Sequence, residues 1–163
     1  MFERTLAPST ESFSKLPGYP SEERMATSMV AIIECEQEIP CNPCQDSCPH
    51  DAIFVGEPIT NLPVLNGDNC IGCGLCVANC PGQAIFLLEL NHTEETSVVA
   101  FPYEYVPLPK KGDTVEVVNK NGDALGEGIV LRIQNNKITD RTNVIYVEVA
   151  KNVGKEVRSI VRL

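Results

Sequence analysis

The chain has 163 residues and no tryptophan, and only 6% of it is aromatic. A large core built on stacked rings is therefore excluded, and bound metal is one way to replace it, because metal-binding free energy is folding free energy. No stretch approaches the run of about 20 apolar residues that crosses a bilayer as a helix, so no membrane span is expected. The first residues, Met-Phe-Glu-Arg-Thr-Leu-Ala-Pro-Ser, lack the apolar segment of a secretory leader. A cytoplasmic location is expected. Between Cys35 and Ser97 there is no Lys or Arg at all, against nine Asp and Glu. No basic patch there neutralises phosphates, so nucleic acid is not an expected partner. From Val98 onward ten Lys and Arg stand against eight acids, so much of the net charge of −9 sits in the earlier segment. Such an acidic face suits docking or plain solubility.

What the chain does have is eight cysteines in two short runs, each ending in Cys-Pro. The second is Cys70-x2-Cys73-x2-Cys76-x3-Cys80-Pro81, the spacing of a cubane iron–sulfur site. The first is Cys35-x5-Cys41-x2-Cys44-x3-Cys48-Pro49, the same pattern with its leading interval stretched. A shift of 32 residues lays Cys41, Cys44 and Cys48 on Cys73, Cys76 and Cys80, and puts Glu38 opposite Cys70. The repeat continues as Ala52-Ile-Phe against Ala84-Ile-Phe. Thiolates are soft, anionic ligands that suit iron–sulfur clusters. A duplicated set implies two [4Fe-4S] clusters, and two clusters in one small domain imply electron transfer.

Zinc prefers paired C-x2-C knuckles closed as four-thiol sites, whereas each run here offers three closely spaced thiols. A disulfide framework needs an oxidising compartment and is expected even less. Cys35 is expected to ligate in spite of the stretched loop Glu36 to Pro40. A loop that carried it away would leave a three-iron cluster or an exchangeable ligand. Gly72 and Gly74 have no Cβ to hold the backbone away from inorganic sulfur. His50 follows Cys48-Pro49, and ordinary loop surface is the expected role for it.

The organisation reads as three parts. Residues 1–27, rich in Ser, Thr, Pro and Glu, form an extended arm that binds a partner, with Phe2, Leu6, Phe13, Leu16 and Tyr19 as anchors. Residues 28–97 form the cluster domain, with strands expected over 28–34, 52–55 and 84–90. Residues 98–163 carry no cysteine. Thr114-Val-Glu-Val-Val, the turn Asn119-Lys-Asn-Gly-Asp, Gly128-Ile-Val-Leu-Arg-Ile, Val144-Ile-Tyr-Val-Glu-Val and Glu156-Val-Arg-Ser-Ile-Val predict four or five strands in a small all-β barrel-like module. Lys110, Lys111, Lys151 and Lys155 protect strand edges on this reading. Gly126-Glu-Gly128 runs into β-branched residues rather than a helix, unlike a dinucleotide loop. The fold class is α+β, and either terminal part is expected to be removable with the clusters left intact.

The two runs resemble those of two-cluster bacterial-type ferredoxins. In that family the fourth cysteine of each run ligates the other cluster. The resemblance therefore implies one cluster on Cys35, Cys41, Cys44 and Cys80, and another on Cys70, Cys73, Cys76 and Cys48. The loop Cys35-Glu-Gln-Glu-Ile-Pro-Cys41 within Ile33–Ile53 resembles a particular branch, the small iron–sulfur subunit of FAD-dependent proline, hydroxyproline and sarcosine-oxidase-like dehydrogenases. That implies a non-catalytic electron-transfer subunit in a hetero-oligomer, with FAD or FMN on flavoprotein partner subunits and none on this chain. The alternatives are a free-standing diffusible ferredoxin and the iron–sulfur subunit of a different multi-subunit oxidoreductase.

Overall fold

The computed structural model describes residues 8–163. Phe2 and Leu6 lie outside the described residues. Strands β1 (Val30–Ile33), β2 (Ile53–Phe54), β3 (Val64–Leu65), β4 (Ile85–Glu89), β5 (Thr96–Tyr103), β6 (Thr114–Val118), β7 (Ala124–Gln134), β8 (Asn143–Ala150) and β9 (Ser159–Ile160) follow one another along the chain. Four short helices accompany them: α1 (Thr10–Phe13), α2 (Glu22–Thr27), α3 (Pro43–Asp46) and α4 (Leu75–Asn79).

Seven strands form one antiparallel sheet in the order β1-β4-β5-β8-β7-β6-β9, and β2 pairs with β3 separately. The unbroken apolar runs Val-Ala-Ile-Ile of β1 and Ile-Phe-Leu-Leu of β4 are buried on both faces, as continuous rather than alternating patterns require. One face carries Ala31, Ile33, Ile85, Leu87, Ala100 and Tyr146, and packs on Cys44, Cys76 and Val77 of the cluster loops. The opposite face carries Val30, Ile32, Phe86, Leu88, Phe101 and Val147, and packs on Val115, Val117 and Val130. The sheet is thus the floor under both cysteine runs.

The barrel expected for residues 98–163 does not form, because the sheet stays open with β1 and β9 at its edges. Two physical causes are visible. Strand β9 has only two residues and pairs with β6. The edge of β1 is covered by the N-terminal segment, where the Ile33 N–H donates to the Gly18 carbonyl at 3.1 Å. Register shifts at Val117/Val118 and Val130/Arg132 bend the sheet without closing it.

The sheet also runs straight through the charge boundary at Ser97/Val98, since β5 straddles it and pairs with β4 on one side and β8 on the other. The arm is not extended over its described length. Ser21 caps α2 by accepting from the Arg24 N–H, and Phe13 and Met25 are buried in this chain at 5% and 1% exposure. Tyr19, expected as a partner anchor, packs on the same core as Met25.

Candidate metal centres

The 32-residue repeat is a structural repeat. In β2–β3, Ile53 faces Leu65 and Phe54 faces Val64. In β1–β4, Ile85 faces Ile33 and Phe86 faces Ile32. Each residue of the first hairpin has its counterpart 32 positions away in the second, in the same register. Helix α3 starts at Pro43 and α4 at Leu75, again 32 apart.

The Cys-Pro turns repeat in backbone detail. Asp51 and Gln83, at equivalent positions, both have positive φ, 51° and 50°. For non-glycine residues this left-handed conformation costs roughly 1–2 kcal/mol. It swings the next amide back, so that the Ala52 N–H points at Cys48 Sγ and the Ala84 N–H at Cys80 Sγ, both at 3.4 Å. A third amide, Ala31 N–H, points at Cys70 Sγ at 3.4 Å. Gly72 and Gly74 lie at φ +67° and +84°. Gly72 is confined further, because a Cβ there would lie 2.6 Å from Met29 Cγ and 2.9 Å from the Met29 carbonyl. Left-handed backbone and crowding by Met29 thus demand glycine at 72, a cause separate from approach to sulfur.

None of the eight cysteines is in a disulfide, and they surround two hollows. One is lined by Cys48, Cys70, Cys73 and Cys76, with Leu87 of the sheet and His50 at its wall. The other is lined by Cys35, Cys41, Cys44 and Cys80, with Ile33 and Ile85 below. Glu38 lines neither hollow. Each hollow takes three thiols from one run and the last thiol of the other. Among the described residues, no three His, Cys, Asp or Glu side chains are placed to hold a single metal ion. Four sulfurs spaced around an apolar hollow fit a polynuclear cluster better than a zinc ion, which draws its thiolates to about 2.3 Å.

The electrostatics lead the same way. Burial pushes the Cys44 thiol up to about 11, with Cys80, Cys41 and Cys35 adding to the rise. Burial also pushes Cys76 far up, helped by Cys70, Cys73 and Cys48, and burial raises Cys35. Four thiolates crowded in an apolar hollow repel one another, and iron is the cation that relieves this on displacing their protons.

Several contributing residues carry no local sequence signal. Arg24 of α2 donates to the carbonyls of Gly67 (2.7 Å), Cys70 (2.6 Å) and Ser28 (2.9 Å), tying the second cysteine loop to the N-terminal segment. Gln45 of α3 accepts from the Val55 and Gly56 amides at 2.6 and 3.0 Å. From the sheet, the Gln134 side-chain amide donates to the Cys73 carbonyl at 3.2 Å, and the Tyr146 hydroxyl donates to Gln134 Oε1 at 2.8 Å. The Arg132 guanidinium lies 3.8 Å from the Tyr146 ring centre. Burial raises the Tyr146 hydroxyl, so it remains a donor at neutral pH. Only the spacing of the partners in space finds these residues, since 43 to 61 positions separate Arg24 and Gln134 from the loops they hold.

Residues 34–84 match the family model described as the 4Fe-4S dicluster domain. No curated protein and no solved structure matches the chain significantly. The eight cysteines of this dicluster domain bind two [4Fe-4S] clusters, and the chain transfers electrons through them. When bound, the clusters supply one-electron redox chemistry. The polypeptide supplies thiolate ligands, amides aimed at sulfur, and an apolar floor that limits water. No helix among the described residues is long and apolar enough to cross a membrane.

Proposed function

We propose that this chain is the iron–sulfur subunit of a multi-subunit, flavin-containing amino-acid dehydrogenase in the cytoplasm. One cluster is held by Cys35, Cys41, Cys44 and Cys80, and the other by Cys70, Cys73, Cys76 and Cys48. The observation that carries the cluster assignment is the composition of the two hollows, three thiols from one run and one from the other. The dehydrogenase branch is supported by the likeness of the loop Cys35-Glu-Gln-Glu-Ile-Pro-Cys41. A partner is supported by Phe54 and Val64, which face each other across β2–β3 at 64% and 47% exposure. Paired apolar side chains left open beside the cysteine loops suit a protein interface. On this reading the substrate is oxidised at a flavin on the partner, and this chain passes the electrons on singly.

The test is anaerobic purification of the untagged native protein. A flavoprotein is expected to co-elute with it, and proline, hydroxyproline or sarcosine is expected to bleach the visible absorbance of the complex. Elution alone, with full cluster content, would favour the diffusible ferredoxin. A flavin-containing complex that no amino acid reduces would favour a different oxidoreductase.

A further inference from the structure

The two hollows are built on one repeat, so each serves as the control for the other. Their solvent exposure is matched: at each, one cysteine is buried, Cys44 or Cys76, and three are half-buried. Their amides are not matched. The site of Cys48, Cys70, Cys73 and Cys76 receives two N–H groups on sulfur, from Ala52 and Ala31. The site of Cys35, Cys41, Cys44 and Cys80 receives one at that distance, from Ala84, and in place of the buried Ala31 amide it has a backbone hydrogen bond to Cys35 from the exposed Gln37. The backbone bonds of Gln45 to Cys44 and Val77 to Cys76 are equivalent. The reason is legible in the repeat. The residue 32 positions after Ala31 is Pro63, which lines the second hollow and has no N–H to give.

Fixed charge differs in the same sense. The leading interval of the first run holds Glu36 and Glu38, where the second run has the uncharged pair Ile71 and Gly72. Glu34, Lys120 and Arg158 form one ion-paired group beside Cys35 with a single net positive charge, less than these two carboxylates. At the other site Arg24 donates directly to the Cys70 carbonyl, and Arg132 stacks on Tyr146, two hydrogen bonds from the Cys73 carbonyl. Neither guanidinium has an ion-pair partner among the described residues. They offset Asp51 and Asp68, which flank that loop.

An added electron is stabilised by N–H groups on sulfur and by positive charge, two of the levers on cluster potential. Resting on the two-cluster reading, we propose that the Cys48–Cys70–Cys73–Cys76 site has the higher reduction potential, with Arg24 and Arg132 as positioning residues that hold it there. One electron entering the chain then settles on that site, whichever site it reaches first.

The full-length protein with both clusters is titrated with dithionite, and each reduction is followed by electron paramagnetic resonance. Iron and sulfide are counted first. Fewer than two clusters would defeat the two-cluster reading and not this inference. The expected result is two separate one-electron steps. Arg24→Gln and Arg132→Gln each lower the upper step, changing the reduced-to-oxidised ratio at fixed potential about three- to tenfold, while the lower step stays in place. Arg24→Lys keeps the charge and keeps most of the upper potential. Should Arg24→Gln lose its cluster, Arg132→Gln carries the test, since Arg132 stacks on Tyr146 rather than bonding the cysteine loop. A single merged step, movement of the lower step, equal movement of both, or no movement would overturn the proposal.

Discussion

Arg158 donates two hydrogen bonds, at 2.7 and 3.1 Å, to one carboxylate oxygen of Glu34, with both side chains 3% exposed. Lys120 donates to the other oxygen and also covers the Phe13 ring at 3.4 Å. Glu34 immediately precedes Cys35, so the end of the chain is bound to the start of the first cysteine run. Arg158→Ala leaves a buried carboxylate short of its main partner. A loss of about 3–5 kcal/mol in chemical unfolding is expected, with the Cys35 site losing iron before the Cys70 site. Replacing both partners by apolar residues, as in Glu34→Leu with Arg158→Met, is expected to cost less than Arg158→Ala alone.

The same pair gives a pH dependence. Burial pushes the Glu34 carboxyl up, but Arg158 and then Lys120 pull it down further, so it lies below its ordinary range. Burial holds the Lys120 ammonium below its own range, and its bond to Glu34 works against that. A carboxyl lowered on folding stabilises above its unfolded value of about 4.3. That contribution is lost as pH falls through the folded value. Wild-type stability is therefore expected to fall more steeply than that of Glu34→Gln as the pH drops below about 4.3, in parallel urea titrations.

Gly72→Ala places a Cβ in contact with Met29 and in left-handed backbone. The strain alone is roughly 1–2 kcal/mol. Iron content at the Cys70 site is expected to drop while the Cys35 site stays loaded. Full occupancy of both sites would mean that the loop relaxes around Met29.

Removal of a crossing cysteine is expected to damage the cluster of the other run. Cys48→Ala should lose the cluster of Cys70, Cys73 and Cys76, and Cys80→Ala that of Cys41 and Cys44, from about eight irons per chain toward four. Cys35→Ala is expected to leave a three-iron cluster, identified by its paramagnetic spectrum. An unchanged spectrum would pass the ligand role to another residue.

Truncation after Ser97 is expected to abolish both clusters. It removes β5, the partner of β4, and with it Arg158, Gln134 and Tyr146. Whole-cell iron labelling of the truncated chain checks this, and retention of a brown two-cluster fragment would show that β1 and β4 suffice as a floor.

The cysteine spacing, the duplication and the Asn119–Asp123 turn were legible because each is local chemistry. Asn119 Oδ1 accepts from the amides of Asn121 and Asp123 within that turn, and Gly122 takes φ +85°. The charge break at Ser97/Val98 falls inside β5, because side-chain charge says little about which strands share a ladder, and Pro102 near the end of β5 masked the strand. The arm read as extended because it is rich in Ser, Thr, Pro and Glu, while the docking of Phe13 and Met25 depends on Lys120 and the sheet. Arg24 gave no signal, since its partners are backbone carbonyls and any residue supplies those.

The identical register of β1–β4 and β2–β3 has a consequence for how such a protein diverges. The first run carries three extra residues between its leading cysteines, yet both hairpins keep the same pairing frame. No residue is inserted, because Ile33 to Cys41 and Leu65 to Cys73 both span eight positions; the leading cysteine itself stands three positions earlier in the first run. Each half can therefore shift a ligand or change charge by substitution without disturbing its twin, and the two electron sites are free to evolve apart while the scaffold that spaces them stays fixed.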